Sequence, residues 1–223
     1  MRVPFYNIKA QYEDVKAEFD AVTHEVLSSG NYAPGPHVRA LEESLAERHG
    51  VKHGIAVNSG TDALRIMMDA SGIGRGDEVI TTAFTFVASS ETIMQTGATP
   101  VFVDVDEKTQ QMDPALIEAA ITQKTAAILP IHLFGQLAAI KEIKAIAEKH
   151  NLVLLEDAAQ ALDSHNDGVY AGNFGVSAAL SFYVTKNLGA AGDGGMILTN
   201  DDEIAEKCIS MRVHGMGRER YYY

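Results

Sequence analysis

A lysine near the end of the chain has neighbours that favour a reactive amine. Lys186 follows the apolar run 178–182 and precedes the glycine-rich segment 192–195. Small and apolar residues flank it, and partial burial lowers the pKa of a lysine toward the neutral, nucleophilic form. A single lysine is more often a surface cation. Its interpretation therefore depends on the other residues that the fold brings to the same place.

Two carboxyl groups follow a second apolar run. Residues 152–155 read Leu-Val-Leu-Leu, which predicts a strand buried on both faces, and Glu156 and Asp157 come directly after it. A buried carboxylate needs a cationic partner or several hydrogen-bond donors. We expect one acid to face a crevice and the other to be structural or solvated. The alternative is that both are ordinary capping or ion-paired acids.

A small polar turn with the sequence Asn-Ser-Gly-Thr-Asp-Ala-Leu occupies residues 58–64, between a predicted strand and a predicted helix. Free amides beside Gly60 and the hydroxyls of Ser59 and Thr61 suit a phosphate, because unpaired amides and the helix dipole favour an anion. The alternative is that Ser59 or Thr61 only caps the helix. The turn is not a P-loop, since no Gly-Lys-Ser/Thr follows it.

Pyridoxal phosphate uses all three of these features. A lysine forms a Schiff base with its aldehyde, an acid partners its pyridine nitrogen, and a helix N-terminus holds its phosphate. The three features are spread along the sequence from Thr61 to Lys186, yet each follows a predicted strand. Ligands of open α/β sheets bind at the carboxyl ends of the strands. A sheet that aligns these strand ends would therefore bring the three features together.

The spacing of apolar residues predicts such a sheet. Short runs rich in Val and Ile alternate with amphipathic stretches of about three turns, which is typical of α/β proteins. Strands are predicted over 54–57, 78–81, 101–103, 126–129, 152–155, 178–182 and 195–199. Helices are predicted over about 11–27, up to 49, 61–70, 85–95, from 113, and 138–150. The last two strands are joined without a helix, which interrupts the parallel pattern.

Composition excludes several classes of protein. The 223 residues are 46% hydrophobic and 22% charged with 19 Gly and 6 Pro, which describes an ordinary folded domain. The formal charge of −12 disfavours nucleic acid and anionic membranes as partners. Cys208 is the single cysteine, and no apolar signal segment follows Met1, so we expect a cytoplasmic protein. No metal site is expected, although His49 and His53 have a metal-ligand spacing.

Four motifs give the chain a family resemblance. They are the turn at 58–64, Gly-Arg-Gly-Asp-Glu-Val-Ile at 74–80, Glu-Asp-Ala-Ala-Gln at 156–160, and Ser-Phe-Tyr-Val-Thr-Lys-Asn-Leu-Gly at 181–189 with Gly-Asp-Gly-Gly at 192–195. The chain resembles the DegT/DnrJ/StrS-type sugar-nucleotide aminotransferases. The resemblance implies the large domain of the pyridoxal-phosphate-dependent aspartate aminotransferase fold, fold type I. This domain is a doubly wound, mostly parallel α/β sheet with helices on both faces.

The resemblance also implies residue roles. It makes Lys186 the Schiff-base lysine and Asp157 the partner of the pyridine nitrogen. It implies that Gln160 binds the phenolic oxygen of the cofactor and that Phe86 stacks on the ring. The phosphate-binding residues are then Gly60, Thr61, the amide of Asp62, and Ser181.

The implied reaction is transamination of a nucleotide-linked keto-sugar, with glutamate as the amino donor, in amino-sugar biosynthesis for cell-surface polysaccharides or antibiotics. The implied partners are the nucleotide-sugar substrate, the amino-acid donor and a second copy in a homodimer with shared active sites. One alternative is a sugar dehydratase of the same fold, although related dehydratases carry His at the position of Lys186. Another alternative is a non-catalytic regulatory homologue.

The chain departs from the family pattern in three places. Val184 stands where family members usually have Pro, and residues 162–164 differ from the usual His-Gly-Ala. The chain ends at Tyr221–Tyr223, which we interpret as part of an interior segment. We therefore expect residues 1–223 to form an N-terminal arm, about residues 1–30, and the cofactor-binding large domain. The small C-terminal domain of relatives is expected to be absent from this chain.

Overall fold

The computed structural model describes residues 3–216, and its centre is a seven-stranded sheet. The strands are β1 His53–Val57, β2 Glu78–Thr82, β3 Thr99–Val103, β4 Thr125–Ile128, β5 Val153–Asp157, β8 Ser177–Ser181 and β9 Gly195–Thr199. Their order in the sheet is β1-β9-β8-β5-β4-β2-β3. Only β9 runs antiparallel to the other six strands. This matches the predicted interruption before the last strand.

The α-helices of the described residues are α1 Ile8–Ser29, α2 Pro36–His49, α3 Gly60–Ala70, α4 Ala88–Gln95, α5 Ile117–Ala120, α6 Ile140–His150 and α7 Asp202–Arg212. All of them except α1 pack on a face of the sheet. Apolar residues of α3, α4 and α7 form the core on one face. Residues of α2, α5 and α6 form the two clusters of the other face. The predicted doubly wound α/β fold is confirmed.

The structure differs from the predicted elements in local details. The helix predicted over 85–95 begins at Ala88, because residues 83–87 form the loop that leads from β2. The helix predicted from 113 is a 3-10 turn at Pro114–Leu116 followed by the four residues of α5. A two-stranded hairpin, β6 His165–Asn166 and β7 Val169–Tyr170, was not predicted. Short hairpins of this kind carry too few residues to show a period.

The helix α1 lies in the predicted N-terminal arm, and none of its residues is buried. Its apolar residues recur at helical spacing, as the sequence indicates, and several are large and exposed: Ile8, Val15, Phe19 and Val22. Among residues 3–216, no helix is both long and apolar enough to cross a membrane. The interpretation of Tyr221–Tyr223 concerns residues outside the described part of the chain.

Candidate active site

A cavity of about 470 Å³ lies at the carboxyl ends of β5 and β8, beside the first turn of α3. Seven of the eight predicted site residues line it: Gly60, Thr61, Phe86, Asp157, Gln160, Ser181 and Lys186. Asp62 does not line the cavity. Thr61 and Lys186 are far apart in the sequence but line the same cavity, because parallel strands place their carboxyl ends on one edge of the sheet.

The first turn of α3 forms one wall of the cavity. Gly60 and Thr61 are its first two helical residues, and amides at these positions have no carbonyl within the helix to bind. Ser59 caps the helix, and its Oγ accepts a hydrogen bond of 3.0 Å from the amide of Asp62. The capping alternative is thus correct for Ser59. The Asp62 amide is already bonded inside the turn, so its role toward a phosphate stays a prediction.

Gly60 allows α3 to approach the end of β8 closely. A Cβ atom at this position would lie 2.7 Å from Cβ of Ser181 and 3.0 Å from its Oγ. Side-chain atoms do not tolerate such distances, so only glycine fits this contact without a shift of the helix or strand. The amides of α3 and the Ser181 hydroxyl consequently face the same small volume, which is a suitable site for a phosphate.

Asp157 is the acid that faces the cavity. Only 4% of its surface is exposed. Its Oδ2 accepts a hydrogen bond of 2.7 Å from Ser89 Oγ, and its Oδ1 accepts one of 3.1 Å from the amide of Ala159. Burial raises the pKa of Asp157 above its ordinary value, although these hydrogen bonds and the nearby Lys186 act in the opposite direction. Ser89 was not identified from the sequence, because nothing in its segment relates it to residue 157.

Glu156 is the structural acid of the pair. Its carboxylate accepts hydrogen bonds of 2.8 to 3.0 Å from His132 Nε2 and from three amides, those of Gly172, Phe174 and Gly175. Burial opposes ionisation of this group, but the bonds from His132 and the amides outweigh it and hold the Glu156 pKa below its ordinary value. The expectation of one crevice acid and one structural acid is confirmed in the geometry.

His132 is part of this structural network. His132 is fully buried, and its Nδ1 accepts a hydrogen bond of 3.1 Å from the amide of Ala138. A nitrogen that accepts an amide proton carries none of its own, so Nε2 is the protonated nitrogen that donates to Glu156. Neutral His132 therefore orients Glu156 and lies outside the cavity lining.

Lys186 approaches the cavity from the loop after β8 and is half-buried. Burial lowers the pKa of its amine, and the negative charge of Asp157 partly offsets this effect. Among residues 3–216, no side chain or carbonyl forms a hydrogen bond or salt bridge with its Nζ. The amine is therefore partly desolvated and unoccupied by partners, which favours a nucleophilic lysine.

Gln160 and Phe86 complete the predicted set. The side-chain oxygen of Gln160 accepts a hydrogen bond of 2.8 Å from the amide of Phe134, which leaves the Gln160 NH2 group to donate elsewhere. Phe86 lines the cavity while 68% of its surface is exposed. An aromatic ring with so much free surface at a cavity mouth is available to stack on a planar ligand.

The mostly parallel sheet of this α/β domain brings a partly desolvated lysine, a buried carboxylate and a helix N-terminus to one cavity, the features that pyridoxal-phosphate enzymes use. The sequence comparison agrees. The model of the DegT/DnrJ/EryC1/StrS aminotransferase family matches residues 13–223, and the chain belongs to this family. The resemblance noted from the four motifs is thus confirmed.

Individual relatives are similar over almost the whole chain. A protein of Geobacillus stearothermophilus named pleiotropic regulatory protein is 51% identical over 100% of this chain and 60% of its own length. The UDP-2-acetamido-2-deoxy-3-oxo-D-glucuronate aminotransferase of Pseudomonas aeruginosa is 45% identical over 99% of this chain and 61% of its own length. This chain therefore spans about three fifths of the length of these relatives.

Solved structures confirm the fold. The structure of Streptomyces venezuelae DesV in complex with a ketimine intermediate matches with a TM-score of 0.95 and 44% identity, over 99% of this chain and 59% of that one. NtdA of Bacillus subtilis with bound cofactor PMP matches with a TM-score of 0.91 and 35% identity, over 98% of this chain and 50% of that one. The fold of this chain is therefore that of the aminotransferases it matches, over the part of their length that it covers.

Proposed function

We propose that this protein is a pyridoxal-phosphate-dependent aminotransferase that acts on a nucleotide-linked keto-sugar. The observation that carries the proposal is the single cavity that Lys186 and Asp157 share with the first turn of α3. Relatives named as aminotransferases of oxidised or deoxygenated nucleotide sugars support the substrate class. Glutamate is the proposed amino donor, and amino-sugar biosynthesis for polysaccharides or antibiotics is the proposed setting.

The residues present fit pyridoxal phosphate. The close contact at Gly60 forms a small volume lined by amides and the Ser181 hydroxyl, which suits the phosphate. Asp157 is a buried carboxylate that suits a protonated ring nitrogen, and the free NH2 group of Gln160 suits the phenolic oxygen. When bound, the cofactor supplies an aldehyde that bonds covalently to amines and a ring that accepts electrons.

Two side chains of this chain then have distinct tasks. The lowered pKa of Lys186 increases the fraction of neutral amine, which can bond to the cofactor aldehyde and later accept or return a proton. Asp157, held by hydrogen bonds on both oxygens, offers a negative charge at a fixed position for a ring N–H. The cavity is also lined by the buried apolar residues Leu64, Ile131 and Leu133, which offer no hydrogen bond to water.

Further parts of the proposal concern the whole protein. We propose a homodimer with shared active sites, because a partner could cover the exposed rings of Phe86, which lines the cavity, and of Phe84 and Phe134, which are in edge-to-face contact with each other. The single cysteine and the acidic composition support a cytoplasmic location without nucleic-acid or membrane partners. Sedimentation of the full-length protein tests the dimer.

Covalent attachment of the cofactor tests the assignment of Lys186. The chain is mixed with pyridoxal phosphate, reduced with borohydride and digested, and we expect mass spectrometry to find the adduct on the peptide that contains Lys186. Lys186→Ala should lose both the adduct and the visible absorption band. Lys141→Ala, at an exposed lysine paired with Asp167, is the matched control and should retain both. A Lys186→Ala variant that keeps its band and its turnover would contradict the proposal.

A regulatory function is a second candidate, because two relatives have regulatory names. The relative at 51% identity is named a pleiotropic regulatory protein, and one at 41% identity a sensory transduction protein. Addition of glutamate to the cofactor-loaded protein separates the candidates. A transaminase converts the cofactor band to that of the amine form, whereas a dehydratase or a regulatory protein leaves the cofactor in its aldehyde-derived form.

A further inference from the structure

Ser89 makes a hydrogen bond that its neighbours in α4 do not make. It lies in the first turn of the helix, is 1% exposed, and places its Oγ 2.7 Å from Oδ2 of Asp157. Ser90 and Thr92 instead donate to carbonyls of their own helix, at 3.1 and 2.7 Å. That local bond is the usual behaviour of hydroxyls in helices. Ser89 Oγ also lies 3.3 Å from the carbonyl oxygen of Phe86, but its much shorter contact is with Asp157, a carboxylate from a distant strand.

The direction of the hydrogen bonds follows from the donor inventory. An ionised carboxylate only accepts, and a hydroxyl has one proton, so Ser89 gives its proton to Asp157. Thr85 Oγ1 lies 3.0 Å from Ser89 Oγ and must then donate to it. The result is a directed chain from Thr85 through Ser89 to Asp157. Hydrogen bonds in such a chain polarise one another in the direction of the carboxylate.

The surroundings of Asp157 show why this bond matters. Lys186, from the loop after β8, favours its negative charge through space, and His132, from the segment after β4, is neutral because its Nδ1 accepts the Ala138 amide proton. Asp193 also lines the cavity, and Glu156 faces the opposite side of the strand. Apart from the Ala159 amide, Ser89 is the only group among residues 3–216 that donates a hydrogen bond to the Asp157 carboxylate. Burial works against ionisation, and Ser89 is the largest opposing influence.

We infer that Ser89, supported by Thr85, is a positioning residue that holds Asp157 as an oriented carboxylate toward the ring nitrogen of the cofactor. The inference rests on the proposed function for the identity of the ring. Each Asp157 oxygen has one protein donor and a further lone pair for another. The two donors set the plane of the carboxylate, and a ring N–H approaching from the cavity finds an acceptor already in place.

The first test needs no cofactor. Carbon-13 NMR of the full 223-residue chain follows the Asp157 carboxyl with pH, and the resonance that Asp157→Asn removes assigns it. We expect Ser89→Ala to raise the Asp157 pKa by about one unit, a tenfold change in its protonation equilibrium. Thr85→Val should give a smaller rise, and it also tests the chain of bonds if Ser89→Ala fails to fold. Ser90→Ala, the matched control, should leave the pKa unchanged. An equal pKa in Ser89→Ala and the parent would overturn the inference.

The second test asks whether Ser89 acts through the ring nitrogen. Binding of pyridoxal phosphate is compared with binding of the analogue in which carbon replaces that nitrogen. We expect Ser89→Ala to weaken the cofactor about tenfold and the analogue hardly at all. Equal losses for both ligands would make Ser89 merely structural and refute the inference. Failure of the parent chain to attach cofactor at Lys186 would instead refute the proposed function, whatever the NMR titration shows.

Discussion

Two adjacent acids, Glu156 and Asp157, have opposite electrostatic surroundings. Consecutive side chains of a strand point to opposite faces, so Glu156 meets His132 and three amides while Asp157 meets the cavity. Four donors lower the pKa of Glu156 in spite of its burial, whereas burial prevails at Asp157. The number of donors, and not the depth of burial, decides which of the two stays readily ionised.

Glu156→Gln should destabilise the chain, because the new NH2 group faces N–H donors and leaves at least one of them without an acceptor. We expect a loss of about 3 kcal/mol in the free energy of unfolding at pH 7, measured by urea titration. Glu148→Gln, at an exposed acid of α6, is the control and should change stability by less than about 0.5 kcal/mol.

The stabilisation by Glu156 should also depend on pH. The folded Glu156 pKa lies below its ordinary value of 4.5, so its stabilisation is complete above that pH and is lost as the pH falls through the folded pKa. The stability difference between the parent and Glu156→Gln should therefore shrink in urea titrations below pH 4.5. A difference that stays constant down to the acid transition would show that the Glu156 charge does not contribute.

The contact between α3 and the end of the sheet depends on two glycines. A Cβ at Gly60 would collide with Ser181, and one at Gly195 in β9 would collide with the carbonyl oxygen of Ser59. The Ser59 cap and the Gly60 contact thus fix where the helix begins and where its free amides point. In this way a backbone contact determines the position of the proposed phosphate site.

Gly60→Ala should push α3 away from β8. We expect a stability loss of about 1 to 3 kcal/mol from overpacking and weaker binding of pyridoxal phosphate, measured by urea titration and by cofactor titration. Gly74→Ala is the control, since a Cβ there meets only Thr96 O at 3.8 Å. Unchanged cofactor affinity in Gly60→Ala would show that the first turn of α3 does not hold the phosphate.

The molecule as a whole is a three-layer α/β domain whose core lies on both faces of one sheet. Cys208 of α7 belongs to the core that α3, α4 and the sheet share, and it is fully buried. Burial raises the pKa of its thiol to about 12. Only the thiolate reacts with disulfide reagents, so this cysteine reports whether the layer of α7 has opened.

Cys208 should therefore not react with a thiol reagent at pH 8 in the folded chain and should react fully in urea. The rate of labelling at increasing urea measures opening of the α7 layer. The control is Cys208→Ala combined with Lys207→Cys, which places the thiol at an exposed neighbouring position and should label at once without urea. Rapid labelling of native Cys208 would contradict the packing of α7 against the sheet.

Much of this protein could be predicted from local sequence alone. The alternation of apolar runs and amphipathic stretches indicated all seven strands of the main sheet, because buried strands appear in the sequence as short apolar runs. The motifs around Lys186 and residues 58–64 lie at strand ends, so the sheet rule was enough to bring them together. The resemblance carried by the four motifs was confirmed by the family match.

Tertiary structure alone decided how the site residues are supported. Ser89 lies 68 residues from Asp157, and Gln160 is oriented by an amide 26 residues away. His132 became a buried partner of Glu156, and the Asp62 amide was taken by Ser59. Partners of this kind are set by the packing of helices on the sheet and by distances of a few tenths of an ångström. Sequence periodicity records which face of an element is buried, but it does not record which atom lies opposite.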